Sequence, residues 1–599
     1  MSLLDKKPLT DELIDRVHYW VPPVPGFKPR KKNPNSSLRI AVIVGDRLYQ
    51  GLRYEGKLLV LTPYNWEQVL NHVEIDFLLV ESCTQTITGH WFHGQSVHKA
   101  NNESLLDIIK LARDKSIPTV FWNTKSHLYH SHYAKFSNNF DYVFCADIRE
   151  CLLLEKEGIK AEALLPAVQP AIHNGFREYN PEYSEFSIDV LYDGFTDLYR
   201  LEERLHILQD LMSYGLKIID SQAEIFSTKI YDLPLFTDSF LGTVNQSARI
   251  TALKYTNAAI TFDETLRTET LQQWLTLEAV ACRVPIIHRG KIDPEDIRYK
   301  LISCCDNDEE LLVTLEAFHQ DDLYRKRLEH LAWRDVYQNH TYAHRLSKIC
   351  SSIGITHDYE EHPLASVIAP TFREKYYSRL LESFNNQSYP NKELILVVNN
   401  NDTDIAKVPE LNNTSPNVHV YSIPQDKFAG GAMNVGNCSA NGEYCFRLDD
   451  DDDYGKNYLL DVMLHLKAID ADIFGSPPKY YLFENEKKMF IANKDRPFLA
   501  IVQPKYLGNG ICSISGNTLG GKCDFLVKEP YHDYIFGAAD AAFTHGNKGS
   551  VDYFLLLDEF NMVIKRSHDV TEHTWRATEE MIKKTHSPSD GIGFNDVML

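Results

Sequence analysis

Short apolar runs alternate with amphipathic stretches over the first part of the chain. The runs are nearly free of polar residues, as is typical of parallel strands buried on both faces of a sheet. Between them lie helical patterns such as Ser104–Lys115. This alternation predicts an α/β lobe over residues 37–180 with crossover helices. Its strands are expected at Arg39–Val44, Leu58–Thr62, Phe77–Val80, Thr119–Trp122 and Tyr142–Cys145.

The same alternation restarts near Ile188 and predicts a second lobe over residues 181–356. Strands are expected at Ile188–Gly194 and Val284–Ile287, and helices at Arg200–Tyr214 and Thr270–Cys282. Two consecutive Rossmann-like lobes indicate a ligand cleft between them.

A third block of alternating elements occupies residues 363–599. It opens with a strand at Ser366–Ala369, a helix at Tyr376–Asn385 and a strand at Glu393–Val398. His357–Pro363 is the predicted linker, and residues 1–36, rich in Pro and Lys, form an extended arm. We therefore expect an α/β protein with two Rossmann-like lobes followed by a mixed-sheet domain.

The composition narrows the classes of partner. The 599-residue chain has 62 Lys and Arg against 83 Asp and Glu, a net charge of −21. Such a surface repels nucleic acid and anionic membranes, so we expect no nucleic-acid partner. The first residues lack an apolar core, and no segment reaches the ~18 apolar residues of a membrane span. We expect a cytoplasmic protein without a signal peptide or membrane span, and leave peripheral membrane association open.

The 11 cysteines are scattered and lack CxxC spacing. This usage predicts reduced, buried thiols in a cytosolic protein and no structural zinc site.

Five consecutive carboxylates, Asp449 to Asp453, follow a short apolar run that has the pattern of a buried strand end. Desolvation and mutual repulsion oppose such a cluster in a dry interior. A divalent cation, Mn²⁺ or Mg²⁺, would keep the carboxylates ionised and close together, because hard ions take oxygen ligands. A solvated acidic loop is the alternative.

Several motifs flank this acidic run in a fixed order. Pro370–Arg373 follows the first strand of the third block, Asn399–Asp402 follows the second, and Gly430–Asn437 precedes the carboxylates. In order and spacing these motifs resemble the family 2 glycosyltransferases of GT-A fold. The resemblance implies a nucleotide-sugar donor at the carboxyl ends of the first parallel strands.

By this resemblance Asp451 ligates a metal that bridges the donor diphosphate, and Asp452 is a further ligand. Asp449 holds the ribose or the outer coordination sphere of the metal. Relatives carry acidic residues where this chain has asparagines, so UDP is only the favoured nucleotide. The remaining donor-binding residues implied are Thr371, Arg373, Asn399, Asn400 and Asp450.

An inverting sugar transfer needs a general base for the acceptor hydroxyl. The resemblance places it beyond the metal motif near a helix start, where Asp540 lies. A helix-capping aspartate is the alternative, and Asp533 and Asp552 are further candidates. His568 is a candidate metal ligand or a packing residue. Gly516–Leu519 is expected in the acceptor-side wall.

Residues 37–355 resemble, more loosely, GT-B glycosyltransferases akin to spore-maturation CgeB-like proteins. In that fold Glu278 would bind the donor ribose from a helix N-terminal region. Arg283 replaces a glycine of the family, and either hinders backbone approach or supplies a phosphate-binding guanidinium. The matching segments are Ile117–Asn123, Phe140–Asp147, Leu165–Asn174, Leu277–Ile287 and His340–Leu346.

Together the resemblances imply a metal-dependent, inverting glycosyltransferase acting on a glycan or lipid-linked glycan in bacterial surface polysaccharide synthesis. Two active transferases in one chain is one arrangement. A single transferase whose N-terminal half binds acceptor, a non-enzymatic glycan-binding protein and a nucleotidyltransferase are the alternatives.

Overall fold

The structure is a computed structural model that describes residues 37–91, 102–181, 187–194, 201–220, 236, 238–263, 269–401, 408, 415–508, 511–535, 537–567, 569, 577–589 and 591–599. The described residues form two compact units. The first contains those up to Gly175 and those from 187 to Tyr359. The second contains those from Phe176 to Pro181 and those from Glu360 to Leu599.

The first sheet of the first unit has six parallel strands in the order β2-β1-β3-β4-β5-β6. Along β1, Ala41 and Ile43 join one buried cluster, whereas Ile40 and Val42 join another. The sheet is therefore covered on both faces, as its continuous apolar runs predict. The strands are β1 (Arg39–Ile43), β2 (Lys57–Val60), β3 (Phe77–Glu81), β4 (Thr119–Asn123), β5 (Tyr142–Cys145) and β6 (Glu162–Ala163).

After β7 (Arg177–Tyr179), which belongs to the second unit, a second parallel sheet follows in the order β10-β9-β8-β11-β12-β13. This is the strand order of a doubly wound sheet, in which ligands bind where the order reverses. Its strands are β8 (Ile188–Asp193), β9 (Leu216–Asp220), β10 (Phe240–Thr243), β11 (Thr256–Phe262), β12 (Ile286–Arg289) and β13 (Ser303–Cys305).

Helices connect these strands and cover the two sheets. Every strand and helix named from the sequence is present, with its ends shifted by at most two residues. The helices of this unit are α1 (Asp46–Leu52), α2 (Trp66–His72), α3 (Asn102–Asp114), α4 (His130–Ser137), α5 (Ile148–Lys156), α6 (Leu201–Met212), α7 (Gln246–Lys254), α8 (Glu269–Ala281), α9 (Asp308–Gln320), α10 (Asp322–Asn339) and α11 (Tyr342–Ile353).

The second unit is built on a mixed sheet in the order β16-β15-β14-β17-β23-β19-β24-β22-β7, beside a smaller sheet in the order β18-β25-β20-β21-β26. Strands β14 to β17 are parallel, so their carboxyl ends share one edge. The strands are β14 (Ala365–Thr371), β15 (Lys392–Val398), β16 (Val418–Ser422), β17 (Tyr444–Arg447), β18 (Asp453–Tyr454), β19 (Ile473–Gly475), β20 (Tyr480–Phe483), β21 (Lys488–Ala492), β22 (Ala500–Val502), β23 (Gly520–Lys522), β24 (Phe554–Leu556), β25 (Met562–Arg566) and β26 (His586–Pro588).

The prediction of an α/β protein with several parallel sheets is confirmed. The helices of the second unit are α12 (Tyr377–Asn385), α13 (Phe428–Ser439), α14 (Tyr458–Ala468), α15 (Cys523–Lys528), α16 (Ala539–Gly546), α17 (Glu579–Lys583) and α18 (Phe594–Val597). Among the helices described, none combines the length and the apolar character needed to cross a membrane.

Strand β7 comes from a part of the chain far from the rest of the second unit. It pairs in parallel with β22, with Arg177 opposite Ala500 and Tyr179 opposite Val502. The preceding Phe176 is buried against the ring of His465, 5.3 Å between centroids. Residues 360–599 alone would therefore leave an edge of this sheet unpaired.

Cys445 and Cys523 form a disulfide that joins β17 to the start of α15. The prediction of reduced cysteines is wrong for this pair, because two residues 78 positions apart meet across the β17–β23 pairing. The other nine are not disulfide-bonded within the described chain. Seven of these are buried as predicted, and Cys304 and Cys438 are exposed.

Candidate active site

The acidic run lies at the shared carboxyl edge of the parallel strands of the second unit. It begins directly after β17, where the amide of Leu448 donates to the carbonyl of Ile368 on β14. It ends in β18, which pairs with β25 of the smaller sheet. The carboxylates therefore bridge the edges of two sheets, at the kind of position where α/β proteins bind ligands.

Arginines neutralise much of the run. Arg447 holds both oxygens of Asp449, at 2.6 Å from Nε to Oδ1 and 3.0 Å from Nη2 to Oδ2. Arg379 donates to the carbonyls of Asp451 and Asp452 and to Asp453 Oδ1. From the sequence, a metal or bulk solvent was the only partner expected for the run. These arginines could not be predicted from it, because β17 and α12 bring them in from outside the run.

A third arginine, Arg373, binds Asp450 and Asp451. Its Nε lies 3.3 Å from Asp450 Oδ2, its Nη2 also donates to Asp450, and its Nη1 lies 3.2 Å from Asp451 Oδ2. Thr371 Oγ1 donates to the same Asp450 oxygen at 2.5 Å. Three predicted donor-binding residues, Thr371, Arg373 and Asp450, therefore bind one another.

Asp452 lacks such compensation. Within the described part of the chain its carboxylate has no ion-pair partner and accepts only from Asn517 Nδ2 at 2.5 Å and from the amide of Lys565 at 3.0 Å. Burial, and then the charges of Asp451 and Asp449, raise the pKa of Asp452 well above its usual range. Among the described residues, Asp452 is therefore the carboxylate of the cluster that lacks a neutralising cation.

This donor set fits a hard divalent cation. One carboxylate oxygen from each of Asp449, Asp451 and Asp452 lies within 4.8 Å of the others. Carboxylate oxygens are the ligands that Mg²⁺ and Mn²⁺ prefer, and the buried Asp452 needs a positive partner to stay ionised. Asp449 is less available than the other two, because Arg447 holds both of its oxygens.

A cavity of about 430 Å³ opens beside the cluster. Asp449, Asp451 and Asp452 line it together with Asp540, the residue chosen from the sequence as general base. Ligand pockets typically begin at about 300 Å³, so the cavity is large enough for a small organic substrate. Lys565 and Arg566 of β25, Tyr481 of β20 and Ser515–Asn517 complete much of its wall. Of the segment Gly516–Leu519, Gly516 and Asn517 are thus among the lining residues, and its place on the acceptor side stays a prediction.

Asp540 lies in the first turn of α16, and no capping bond from it is present at that helix start. A Cβ atom on Gly516 would lie 2.3 Å from Asp540 Oδ2, so this glycine leaves the space that the carboxylate occupies. Burial lowers the pKa of Arg447, but the charges of Asp449 and Asp540 outweigh burial and raise that pKa above its ordinary value. Arg447 thus lies in the field of both carboxylates.

The other candidates for the base lie elsewhere. Asp533 pairs with Lys427 at 2.7 Å, and Asp552 is exposed to solvent. Neither is among the described residues that line the cavity. His568, the candidate metal ligand, lies outside the described residues.

The two asparagines follow β15 at the same sheet edge. The amide of Asn399 donates to the carbonyl of Thr371 at 2.9 Å, and Asn400 Nδ2 donates to the carbonyl of Phe372 at 3.1 Å. These bonds place both residues beside the Thr371–Arg373 segment. In the part of the chain described, neither they nor Thr371, Arg373 and Asp450 line the 430 Å³ cavity.

Glu278, the residue assigned to donor ribose in the first unit, lies near the C-terminal end of α8, so its predicted position in a helix N-terminal region is wrong. It is completely buried. Its oxygens accept from Arg47 Nε at 2.9 Å and Arg249 Nη1 at 2.5 Å. Burial acts to raise the pKa of Glu278, but the charges of Arg47 and Arg249 outweigh it and lower the pKa to about 2.

Arg283 follows α8 with φ of 65°, the left-handed conformation that favours glycine at a helix end. Its guanidinium lies 3.7 Å from the ring centroid of Trp333 and 2.8 Å from His330 Nδ1. The arginine that replaces the family's glycine therefore packs inward. The hypothesis that it offers a guanidinium to phosphate is wrong for this conformation, since stacking on Trp333 buries it.

No curated protein matches the chain. Among solved structures, S. aureus TarS 1-349 is 20% identical over 34% of this chain and 60% of its own, with a TM-score of 0.28. The same protein in complex with UDP-GlcNAc is 21% identical over 34% of this chain and 58% of its own, with a TM-score of 0.28.

Mannosyltransferase PcManGT from Pyrobaculum calidifontis, in complex with GDP-Man and Mn²⁺, is 14% identical over 34% of this chain and 57% of its own, with a TM-score of 0.26. The chain thus spans about 60% of the length of the first of these structures. Residues 366–519 match the family model described as Glycosyl transferase family 2. That segment contains Thr371, Arg373 and the whole acidic run. A segment of the second unit is therefore similar to glycosyl transferase family 2, and this match supports the prediction of a glycosyltransferase enzyme.

Proposed function

We propose that the second unit transfers a sugar from a nucleotide-sugar donor, with UDP the favoured nucleotide, to a glycan or lipid-linked glycan acceptor. The proposal rests on one observation above all. Asp449, Asp451, Asp452 and Asp540 line the same 430 Å³ cavity at the carboxyl edge of the sheet. Synthesis of a bacterial surface polysaccharide is the biological setting that we infer for this transfer.

Asp451 and Asp452 are the proposed ligands of Mn²⁺ or Mg²⁺, and Asp449 is the proposed partner of the donor ribose. A divalent ion held there would supply Lewis-acid assistance to the departing nucleoside diphosphate. Arg447 fixes the orientation of Asp449 through two parallel hydrogen bonds, the geometry that gives an arginine–carboxylate pair its specificity. Asn517 and the amide of Lys565 orient Asp452 in the same way.

Asp540 is the proposed general base. It would accept the proton of the acceptor hydroxyl as that oxygen attacks the anomeric carbon, and the bond to the nucleoside diphosphate breaks on the opposite face of the sugar. This displacement inverts the anomeric configuration. Asp540 lines the same cavity as the proposed metal-binding carboxylates, and this supports the assignment, because the base must reach an acceptor hydroxyl bound beside the donor.

We further infer that the chain has one transferase site. Glu278 is completely buried with both oxygens engaged by arginine, so a ribose hydroxyl cannot reach it without displacing packed side chains, whereas Asp449 lines the 430 Å³ cavity. The cavity beside Arg249 measures about 40 Å³, whereas ligand sites typically exceed about 300 Å³. These observations favour an acceptor-binding or scaffold role for the first unit over a second activity.

The test is release of nucleoside diphosphate from a panel of UDP- and GDP-linked sugars with Mn²⁺. Asp451→Asn and Asp452→Asn are each expected to lower the rate by about 100-fold or more, because Lewis-acid assistance is worth several kcal/mol. Asp552→Asn, an exposed carboxylate outside the cavity, is the matched control and should keep the full rate.

Three outcomes would contradict the proposal. Release of pyrophosphate would identify a nucleotidyltransferase. Calorimetry that detects neither UDP nor Mn²⁺ binding dependent on Asp451 would favour a non-enzymatic glycan-binding protein. Transfer that survives Asp451→Asn but is lost in Glu278→Gln, with the protein folded, would move the active site to the first unit.

A further inference from the structure

Arg373 joins two carboxylates that have different surroundings. Toward Asp450 it directs Nε, 3.3 Å from Oδ2, and Nη2. Toward Asp451 it directs only Nη1, 3.2 Å from Oδ2. The side chain is 12% exposed, so little water screens these charges. We call Asp449, Asp451 and Asp452 the three-aspartate cluster. One guanidinium thus bridges Asp450, which lies outside this cluster, and Asp451, which belongs to it.

The two ends are held with different strength. Asp450 is also bound by Thr371 Oγ1 at 2.5 Å, which fixes the carboxylate that anchors the arginine. The guanidinium lies 4.7 Å from the ring centroid of Tyr376 and 5.3 Å from that of Phe372. Arg373 therefore makes two bonds to Asp450, which Thr371 also fixes, and one bond to Asp451.

We propose that Arg373 is a resident counter-cation that competes with the divalent metal for Asp451. This inference rests on the proposed function, in which Asp451 is a metal ligand. A guanidinium beside Asp451 repels a divalent ion and occupies one of the oxygens that the ion needs. Phosphate oxygens are equally good partners for a guanidinium, so a donor diphosphate draws Nη1 away from Asp451 while Asp450 keeps the arginine in place.

The consequence is coupling between metal and donor. The donor-free protein binds the ion weakly, and the nucleotide and the ion each strengthen binding of the other by the same factor. The Asp450–Thr371 pair acts as the anchor from which Arg373 changes partner. Arg373 is therefore a positioning residue that sets the order in which the site is filled.

The experiment is a titration with Mn²⁺, followed by the electron paramagnetic resonance signal of the free ion, with and without UDP. Arg373→Met keeps the stem beside Tyr376 but removes the charge. We expect the Mn²⁺ dissociation constant of the donor-free protein to fall about tenfold, and the enhancement by UDP to shrink by a similar factor. Arg373→Lys retains the charge and should stay within about threefold of wild type.

Arg379→Met is the matched control. Arg379 contacts the main-chain carbonyls of Asp451 and Asp452 and the carboxylate of Asp453, but these bonds do not reach the carboxylate oxygens of the three-aspartate cluster. Its loss should change the donor-free constant by less than about threefold. Circular dichroism melting establishes that each variant is folded, and Arg373→Gln replaces Arg373→Met if the latter is not.

The outcomes separate this inference from the function on which it rests. Mn²⁺ binding that is lost in Asp451→Asn but unchanged or weaker in Arg373→Met overturns the inference alone. An absence of Mn²⁺ binding in the wild type, with or without UDP, overturns the metal site and the inference together. If Mn²⁺ binds more tightly to both Arg373→Met and Arg379→Met by the same factor, the effect comes from the overall charge near the site, and the inference is also overturned.

Discussion

Glu278 provides the sharpest test of how the first unit is held together. It is completely buried in α8, where Arg47 and Arg249 contact its two oxygens and His173 Nε2 lies 3.9 Å from Oε1. Replacing it with Gln keeps the size of the side chain and removes the charge. The buried guanidinium of Arg249 and the partly buried one of Arg47 then lose their common anion, and we expect the unit to become markedly less stable.

The magnitude follows from the displaced pKa. The charges of Arg47 and Arg249 overcome burial and lower the pKa of Glu278 from 4.5 to about 2. Each pKa unit corresponds to about 1.4 kcal/mol, so the folded state favours the ionised carboxylate by about 3 kcal/mol. Breaking a buried ion pair by removing one partner typically costs about 3–5 kcal/mol, which is consistent. The expected loss of unfolding free energy is therefore about 3 kcal/mol.

Urea unfolding followed by tryptophan fluorescence is the assay. Of the 7 tryptophans of the chain, Trp66, Trp91, Trp122, Trp274 and Trp333 are described residues of the first unit, and Trp274 lies on α8 itself. Glu74→Gln is the control, because Glu74 is 96% exposed at 3.7 Å from Arg39. An exposed pair contributes ~0–1 kcal/mol. A loss below about 1 kcal/mol in Glu278→Gln would refute the reasoning.

The pH dependence has a definite sign. Because the folded pKa of Glu278 is depressed, its contribution is fully present above the unfolded pKa of 4.5 and is lost as the pH falls toward about 2. The stability difference between wild type and Glu278→Gln should thus be constant from pH 7 to about 5 and shrink below pH ~4.5. A difference that already shrinks near pH 6 would point to a different titrating group.

Three further outcomes are expected. In steady-state kinetics, Asp540→Asn should lower kcat by about 10²–10⁴-fold while the donor KM changes little. An unchanged kcat would exclude Asp540 as the general base. Gly516→Ala places a Cβ 2.3 Å from Asp540 Oδ2 and should displace that carboxylate. We expect kcat to fall by about 100-fold with the melting curve unchanged, because the displacement affects the reaction rate and not the stability of the fold. Phe176→Ala removes a buried ring beside His465 and should destabilise the second unit by about 3–5 kcal/mol, as measured by calorimetry. An unaltered thermal unfolding transition would show that the β7 segment adds nothing to the stability of the second unit.

Elements with a strong local pattern could be predicted from the sequence. The centres of β1, β3 and β4 are continuously apolar because both faces of their sheet are covered, and such runs can be recognised without knowledge of their neighbours. The position of the acidic run at a sheet edge was equally accessible, since it directly follows the apolar β17. Asp540 and the run were linked only through the resemblance, and the cavity that they share supports that link.

What the sequence alone determined, then, is the α/β class and the placement of carboxylates at the ends of parallel strands, because both depend on residues close together in the chain. Tertiary structure decided which charges meet. Arg373 reaches Asp450 and Asp451 across 77 and 78 positions, Arg249 reaches Glu278 across 29, and Cys445 joins Cys523 across 78. The physical reason is that no local sequence pattern links these partners, because only the packing of separate strands and helices brings them within bonding distance. That packing also determines whether a buried carboxylate is available to a ligand or is already neutralised by the protein.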